Sequence, residues 1–294
     1  MTDLAILFRD AMQSVFGQLD LLPIADGTIH RFYVSGDKAG SKNGWYVLYL
    51  DRIASGAFGS WKSGCSHTWS SRKPTDSIEA QLIAQRSNQA RQQRKAERAR
   101  KQFAAAAGAR RLWSGAGTAQ IDHNYTNCKR SCKSVASNYL RQDGETILVP
   151  LYAEGLLMNL QRIYPDGTKR FMYGGKVRGC YSAIGEFKEG QPLYICEGWA
   201  TGATIHQFTR CLVLCAMNAG NLLEIAQQAR KDHPKAHIII AGDNDHNTLG
   251  NPGVKAARHA ALAVEAEVII PEFPAGHPGT DWNDYYLMEQ EARQ

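Results

Sequence analysis

The amino-acid sequence predicts an α/β protein whose carboxyl-terminal part, residues 191–294, folds around a Rossmann-like, mostly parallel sheet. The strands are predicted by four apolar runs: LYICEG, CLVLCA, AHIIIAGD and AEVIIPEF. Helical patterns such as NLLEIAQQAR and VKAARHAALAVEA separate the later runs. Because strands that alternate with helices form βαβ units, the sheet is expected to be parallel for most of its width.

A small mixed α+β subdomain is predicted before this sheet, over residues 110–190. The stretch TILVPLYAEGLLMNLQRIYPDGTKRFMYGG alternates apolar and polar residues and contains turn signals at Glu154-Gly155 and Pro165-Asp166-Gly167. Alternation of this kind indicates half-buried strands, and the turn residues mark where the chain reverses. We therefore expect three paired strands in this subdomain.

The amino-terminal region, residues 1–74, is predicted to form a β-rich domain. Short aromatic and β-branched runs are separated there by Gly, Asn, Asp and Ser, a pattern typical of antiparallel hairpins. Residues 1–18 are expected to form a helix laid against them. The interleaved basic and aromatic residues suggest that this domain reads DNA or contacts a partner. Trp45, Trp61 and Trp69 either stack on unpaired bases or belong to the core.

Residues 75–109 are predicted to form a basic helical linker. From residue 75 the chain is rich in Ala, Gln, Arg and Lys and has no Gly or Pro before Gly108. Nine basic residues and one acid, Glu97, lie between Arg86 and Arg111. A solvated linker and a phosphate-contacting arm are both compatible with this composition. The candidate DNA-binding residues are Arg91, Arg94, Lys95, Arg98 and Lys101.

The chain length and the net charge limit the kinds of protein that this sequence can encode. A chain of 294 residues is expected to form two domains with a connector. The net charge of +6 and the pI of about 8.9 permit a polyanionic partner. The start MTDLAILFRD lacks the pattern of a signal peptide, and no apolar run approaches the ~20 residues of a membrane span. We therefore expect a cytoplasmic protein without membrane contact.

The seven cysteines are expected to be reduced thiols, because their number is odd and their spacing irregular. Three short spacings raise the question of zinc: Cys128 with Cys132, Cys211 with Cys215, and Cys65 with His67. Structural zinc sites usually have two matched close pairs, and this sequence lacks them. Zinc is therefore not expected.

Acidic residues follow the predicted strands where the strands end. Glu197 follows LYIC, Asp243 and Asp245 follow HIIIAG, and Asp281 and Asp284 lie in GTDWNDYY. Because ligands bind at the carboxyl edge of open α/β sheets, these carboxylates are candidates for one site. Oxygen ligands of this kind suit Mg²⁺ better than zinc. The alternative for DWND is a helix amino-terminal cap.

These motifs resemble the Toprim domain that bacterial-type primases, type IA and II topoisomerases and some nucleases share. The match extends further, because VPLYAEGLLMNLQRIYPDGTKRFMYGG, ICEGWATGATI, AMNAGNL, GDNDHNTLGNPGVKAA and DWNDYY resemble primases of conjugative plasmids, phages and integrated elements across residues 110–290. The expected fold is therefore a Toprim sheet preceded by the mixed subdomain, the basic helical linker and the β-rich domain.

The resemblance implies a DNA primase that makes short RNA primers from NTPs on single-stranded DNA. It implies that Glu197, Asp243 and Asp245 are catalytic and hold Mg²⁺, with Mn²⁺ as a possible substitute, and that Asp284 and Asp281 support the metal site. Glu197 could be a ligand or a general base. It also places nucleotide- or template-binding cations at Arg162, Lys169 and Arg170, with Arg141 as a further candidate.

One departure from the wider family concerns partners. No G-x-x-x-x-G-K-[ST] phosphate loop is present, and GGKVRG at residues 174–179 does not match it. A replicative helicase or a replication initiator is therefore expected to act in trans.

Two other functions stay open on the sequence alone. A Toprim nuclease would use the same acids to cut strands, whereas a type IA topoisomerase lacks room in 294 residues for its gate. A binding module without catalysis is the second alternative, although the four acids Glu197, Asp243, Asp245 and Asp284 are all retained.

Overall fold

The computed structural model describes residues 2–120, 123, 125 and 137–292. Cys128 and Cys132 lie outside the described residues. The chain divides into two units, Met1–Arg100 and Lys101–Gln294.

The amino-terminal unit is built on one antiparallel sheet with the strand order β1-β2-β3-β4. Helix α1 (Thr2–Phe16) precedes the sheet. The strands are β1 (His30–Phe32), β2 (Gly44–Tyr49), β3 (Ser55–Ser60) and β4 (Ser66–Ser70).

Both faces of this sheet are covered. Phe8 and Met12 of α1 pack on one face, and Ala90 packs on the other beside Trp45, which is 1% exposed. Trp45 is therefore a core residue. Trp69 contacts the Phe8 ring at 5.2 Å between centroids, and Trp61 is half-buried beneath the Arg31 guanidinium at 5.5 Å.

Helix α2 (Ser77–Gly115) is 39 residues long and extends beyond the predicted end of the linker. One stripe of its first part turns toward the amino-terminal sheet: Arg86, Ala90, Arg94 and Glu97. Residues at this spacing lie on one helix face. The solvated-linker interpretation therefore fails for this face, since Arg86 is 5% exposed and donates to Ile53 O at 2.8 Å and to Ser55 Oγ at 3.0 Å.

The second unit begins with a five-stranded antiparallel sheet in the order β5-β6-β7-β8-β9. Its two long strands, β7 (Thr146–Ala153) and β8 (Leu156–Ile163), form the predicted hairpin. The three shorter strands are β5 (Gly117–Thr118), β6 (Arg141–Asp143) and β9 (Lys169–Phe171). A 3-10 turn at Ser137–Tyr139 precedes β6. The three strands predicted in residues 146–175 are β7, β8 and β9. Strands β5 and β6 lie before that stretch and are too short to show alternation.

The second sheet has the order β10-β12-β11-β13-β14. Its strands are β10 (Ser182–Ile184), β11 (Leu193–Cys196), β12 (Val213–Cys215), β13 (Ile238–Ala241) and β14 (Glu267–Ile269). The last four pair in parallel, which confirms the predicted parallel sheet. Strand β10 pairs antiparallel with β12 and was not predicted.

Helices cover both faces of the parallel sheet. They are α3 (Trp199–Thr209), α4 (Leu222–Asp232), α5 (Pro252–Val264) and α6 (Trp282–Glu291). Helices α4 and α5 pack on the face that carries Ile195 and Ile240. Helix α3 packs on the opposite face, beside Cys196, and the antiparallel sheet joins the same core through Val149 and Ile163. None of the described helices has the length and apolar character needed to cross a membrane.

The Arg86 contacts predict a stability effect that can be measured on the full chain. We expect Arg86→Ala to lower the stability of the amino-terminal unit by about 2 kcal/mol or more, because it leaves buried acceptors without their charged donor. In a unit of this size, each kcal/mol corresponds to about 4–8 °C in the unfolding midpoint. The measurement is thermal unfolding followed by tryptophan fluorescence.

The matched control for this variant is Arg91→Ala on the exposed side of the same helix. It should change stability by no more than about 0.5 kcal/mol. Equal losses in the two variants would contradict the assigned role of Arg86.

Candidate active site at the carboxyl edge of the parallel sheet

The strand register brings the first two acidic motifs side by side. Strands β11 and β13 are parallel neighbours in which Cys196 pairs with Ala241. Glu197 follows its strand directly, and Asp243 comes one residue after Gly242 at the end of the other. Because parallel strands end at the same edge, the two carboxylates lie in one crevice.

Glu197 is held by the turn that follows β12. The backbone N–H of Met217 donates to Glu197 O at 2.6 Å, and the N–H of Ala219 donates to the carboxylate. The Oε1 atom of Glu197 is buried and has no hydrogen-bond partner among the described residues. One carboxylate oxygen is therefore left available to a ligand.

The two aspartates of the DND motif are held differently. Asp245 Oδ2 accepts a hydrogen bond from the Gly253 N–H at 3.0 Å, at the start of α5. Asp243 Oδ1, like Glu197 Oε1, is buried without a hydrogen-bond partner in the described part of the chain. A Cβ atom at Gly253 would come within 2.6 Å of Asp243 O, so only glycine permits this close approach of α5.

Asn244, between these aspartates, ties the motif to two neighbouring connections. Its backbone N–H donates to Thr280 O at 2.6 Å, and its Nδ2 donates to Pro271 O at 2.9 Å. Its Oδ1 accepts from Asn251 Nδ2 at 2.8 Å. The orientation of the DND turn is therefore fixed by the amino-terminal cap of α5 and by the chain leading into α6.

The third acidic motif is both a helix cap and a neighbour of the site. Asp281 caps α6 by accepting from the Asp284 N–H at 2.8 Å, and Asp284 Oδ2 accepts from the Thr280 N–H at 3.1 Å. Both carboxylates also lie close enough to Asp243 to raise its pKa. The cap interpretation therefore holds for Asp281, and both carboxylates are neighbours of Asp243.

Burial and mutual repulsion shift the titration of the two central acids. Burial, followed by the charge of Asp245, raises the pKa of Glu197 from 4.5 to about 7. Burial, followed by the charge of Glu197, raises the pKa of Asp243 from 3.8 to about 8. Carboxyl groups shifted in this direction lack a neutralising cation.

A divalent cation would supply that charge. Among the described residues, no three His, Cys, Asp or Glu side chains are already gathered in the arrangement of a metal site. Two unpartnered, buried carboxylate oxygens nevertheless converge at one edge, and Asp245 lies beside them. Mg²⁺ is usually held by one or two carboxylates, with water and phosphate completing its shell. The residues present fit that donor set.

The predicted nucleotide- and template-binding cations divide between the two faces of the antiparallel sheet. Arg141, Arg162 and Arg170 lie in one cross-strand row through Leu148, and Leu148 packs with Ala109 of α2. Lys169 pairs with Ile163, on the face that joins the core of the parallel sheet. The structure therefore does not bring these four cations together.

Lys169 is the predicted cation that lies on the active-site side. Its Nζ lies 5.6 Å from the centre of the Tyr125 ring, and the Tyr125 ring lies 6.3 Å from that of Trp199. Trp199 is two residues after Glu197. This series of ring contacts connects Lys169 to the start of α3 at the acidic edge.

The arginine row concentrates positive charge on the face of the antiparallel sheet that packs with α2. Arg162 and Arg170 are direct cross-strand partners, an arrangement in which their like charges repel each other. Arg162 Nε is buried and has no hydrogen-bond partner in the described residues. Arg141 is more committed, since its guanidinium lies 4.9 Å from the Trp113 ring and donates to Trp113 O.

The candidate DNA-binding residues of α2 also separate. Arg91, Lys95 and Arg98 are exposed and lie on one side of the helix, whereas Arg94 turns inward. Its guanidinium lies 4.1 Å from the Trp45 ring, and burial lowers its pKa from the usual 12.5. Lys101, in the second unit, is half-buried.

Three residues hold the turns at this edge in a role that was not predicted from the sequence. They are Asn244 and Gly253, described above, and Asn221, whose Nδ2 donates to Cys180 O and Ala216 O, both at 2.8 Å. In the sequence, Asn221 ends the motif AGN after β12, Asn244 is the middle residue of DND, and Gly253 is the second glycine of GNPG. Each motif was visible, but their hydrogen bonds and close approaches depend on which turns meet at the sheet edge.

Comparison with known proteins supports a specific family for this site. Residues 192–292 match a family model described as Toprim domain. The chain is 31% identical over 261 residues, 85% of its length, to an Escherichia coli protein described as DNA primase TraC. It is also 31% identical over 268 residues, 86% of its length, to a second Escherichia coli protein of that description.

These matches cover only part of the relatives. The chain spans 18% of the length of the first and 25% of the second. No solved structure matches the chain.

The segment that matches the Toprim family model includes the acidic edge, since Glu197, Asp243, Asp245, Asp281 and Asp284 all lie within residues 192–292. The chain thus matches a Toprim domain over residues 192–292 and is similar to proteins described as DNA primase.

Proposed function

We propose that this protein is a DNA primase, which joins NTPs into short RNA primers on single-stranded DNA. The observation that carries the proposal is the pair of buried, unpartnered carboxylate oxygens on Glu197 and Asp243 at the edge of the Toprim sheet. The relatives described as DNA primase support nucleotidyl transfer as the reaction at this edge.

The acids would hold Mg²⁺, or Mn²⁺ in its place. Glu197, Asp243 and Asp245 would be the ligands, and Asp281 and Asp284 would support them from the cap of α6. When bound, the metal supplies a positive charge that stabilises the transferring phosphoryl group and orients the attacking hydroxyl.

Glu197 has a second possible role. Burial raises the pKa of its carboxyl group to about 7 in the metal-free site, so its ionised form is more basic than an ordinary carboxylate. Such a carboxylate can accept the proton of the attacking 3′-hydroxyl. Ligand and general base are both compatible with its position.

The cations on the two faces of the antiparallel sheet would bind different phosphates. Lys169, on the active-site side, would neutralise the triphosphate of the incoming nucleotide. Arg162 and Arg170, with Arg141, would contact template phosphates on the opposite face of their sheet. The exposed residues of α2 would add a sequence-independent, salt-dependent contribution to DNA affinity. A helicase or replication initiator would deliver the single strand in trans.

The activity prediction concerns the acids. We expect Asp243→Asn with Asp245→Asn to reduce primer synthesis by about 100-fold or more, since several kcal/mol of transition-state stabilisation would be lost. The measurement is incorporation of labelled NTPs on single-stranded circular DNA with Mg²⁺, resolved on a denaturing gel. Asp232→Asn, an exposed acid at the end of α4, is the control and should retain activity.

Cleavage of the DNA by the wild type, without labelled products, would favour the nuclease alternative. Intact DNA and no products from the wild type, with every NTP present, would favour a binding role without catalysis.

A pH prediction follows from the raised pKa of Asp243. In the unfolded chain this carboxyl titrates near 3.8, so its contribution to the stability of the metal-free fold is fully present below that pH and is lost as the pH rises through about 8. We expect Asp243→Asn to raise the unfolding midpoint at pH 8 in EDTA by at least about 2–4 °C, the equivalent of one kcal/mol in this unit, and to have little effect at pH 4.

Thermal unfolding across this pH range checks the prediction, and Mg²⁺ provides a second readout. Added Mg²⁺ should stabilise the wild type at pH 8 and have a much smaller effect on Asp243→Asn. The same Mg²⁺ shift in both proteins would contradict the proposed metal site.

A salt prediction concerns α2. Replacing Arg91, Lys95 and Arg98 with Gln should weaken single-stranded DNA binding and make the slope of log affinity against log salt shallower by about 2, because each neutralised phosphate contributes ~0.7 to that slope. Binding is measured by fluorescence anisotropy with labelled oligonucleotide. The matched control replaces three exposed basic residues outside α2 with Gln: Lys188, Lys231 and Lys235. Equal slopes in the two triple variants would exclude α2 from the DNA-binding surface.

A further inference from the structure

Three aromatic rings lie together where the DND motif meets the chain that leads into α6. The centroid of the His277 ring lies 5.1 Å from that of Phe273, with 8° between the ring planes. The centroid of the His246 ring lies 5.9 Å from that of Phe273, with 32° between the planes. Phe273 thus connects the two histidines, and we call these three residues the ring cluster.

The ring cluster borders the acidic edge on two sides. His246 directly follows Asp245 in the chain. On the other side, a Cβ atom at Gly279 would lie 2.7 Å from Phe273 Cε1 and 3.0 Å from Asp284 Cβ. Phe273 and Asp284 are therefore packed against the same glycine. The rings lie directly beside carboxylates that belong to the proposed metal site.

The edges of the His246 ring are occupied by the main chain. Its Nδ1 lies 3.0 Å from Asn244 O, and its Nε2 lies 3.0 Å from His277 O. A carbonyl oxygen only accepts hydrogen bonds, and an imidazole always carries a proton on at least one nitrogen. At least one of the two contacts is therefore always a hydrogen bond, which holds the ring in place. Because both nitrogens are directed at the main chain, neither is open to a metal ion.

The open part of His246 is the face of its ring. The residue is exposed, and Phe273 supports the ring from within the cluster. A fixed and exposed aromatic face is a surface on which nucleobases stack, because every base has a π-face. A nucleotide whose phosphates bind at the neighbouring Asp245 carries its base a short distance away. A nucleobase is therefore the class of ligand that this face suits.

We propose that the exposed face of His246 stacks on a nucleobase of the ligand bound at the acidic edge. This inference rests on the proposed primase function. The base belongs either to the incoming nucleotide or to the DNA strand, and both sources present the same kind of π-face. Phe273 and His277 act as positioning residues that hold the His246 ring.

The test is binding of two labelled ligands to the wild type, His246→Gln and His246→Phe. The ligands are a ribose-labelled ATP with Mg²⁺, followed by fluorescence, and a single-stranded oligonucleotide, followed by anisotropy. His246→Gln keeps a hydrogen-bond donor but removes the ring, so it should weaken binding of at least one ligand by about fivefold or more, the effect of losing one base–aromatic stack. His246→Phe keeps a ring face and should stay within about threefold of the wild type.

The two ligands distinguish the source of the base. A loss for ATP alone identifies the incoming nucleotide, and a loss for the oligonucleotide alone identifies the strand. Ligands without bases serve as controls: inorganic tripolyphosphate with Mg²⁺, as a competitor of the labelled ATP, and an abasic oligonucleotide of the same length. Each should bind the wild type and His246→Gln equally. The matched control variant is His259→Gln, at an exposed histidine of α5, which should stay within about twofold of the wild type.

Three results would overturn the proposal. Binding kept by His246→Gln and lost by His246→Phe would show that the ring nitrogens matter and the ring face does not. Equal losses in both variants would assign the effect to the charge or the proton of the imidazole. An equal loss for the ligands without bases would show that the variant disturbs the phosphate site. If circular dichroism shows that His246→Gln is unfolded, His246→Ser replaces it.

The binding measurements also separate this inference from the proposed function, because they do not require primer synthesis. The expected pattern in a protein that makes no primers would support stacking at His246 while the primase proposal fails. Primer synthesis by a wild type whose affinities equal those of His246→Gln would uphold the function and overturn the inference. A wild type that binds neither ligand would overturn it as well.

Discussion

The confinement of two ionisable carboxyl groups, Glu197 and Asp243, in a buried crevice is the constraint on which the rest of the second unit depends. Both lose hydration at the sheet edge, and in addition Asp245 repels Glu197 and Glu197 repels Asp243, which raises their pKa values to about 7 and about 8. Among the described residues, no Lys or Arg forms an ion pair with either. The negative charge is therefore left for a ligand to neutralise.

The antiparallel sheet separates two kinds of positive charge. Its inner face joins the core of the parallel sheet and carries Lys169, while its outer face carries the arginine row beneath the end of α2. Successive residues of a strand point to opposite faces, so the neighbours Lys169 and Arg170 serve different surfaces. Two basic residues that are adjacent in the sequence thus lie in different environments, although a count of charges along the sequence would treat them as one basic cluster.

How much the sequence predicted depends on whether a feature is local. The parallel strands and the acids at their ends could be predicted, because apolar runs and strand ends are written in consecutive residues. The inward stripe of α2 could not be predicted, because basic residues such as Arg86 and Arg94 are expected to be exposed until the sheet that they contact is known. The arginine row could not be predicted either, because it depends on the strand register that pairs Arg162 with Arg170. Asn221 required knowledge of which loop meets the turn after β12.

The hydrogen bonds that hold the acidic edge have a common chemical origin. Glu197, Asp245, Asp281 and Asp284 accept from the main-chain N–H groups of Ala219, Gly253, Asp284 and Thr280, respectively. A peptide N–H does not titrate, carries no formal charge and survives every substitution except proline. The crevice therefore keeps these hydrogen-bond donors across the physiological pH range, while the charge of Glu197 and Asp243 changes within it. Its chemical character is encoded in the path of the backbone, and mutation of the donor residues changes it only if that path moves.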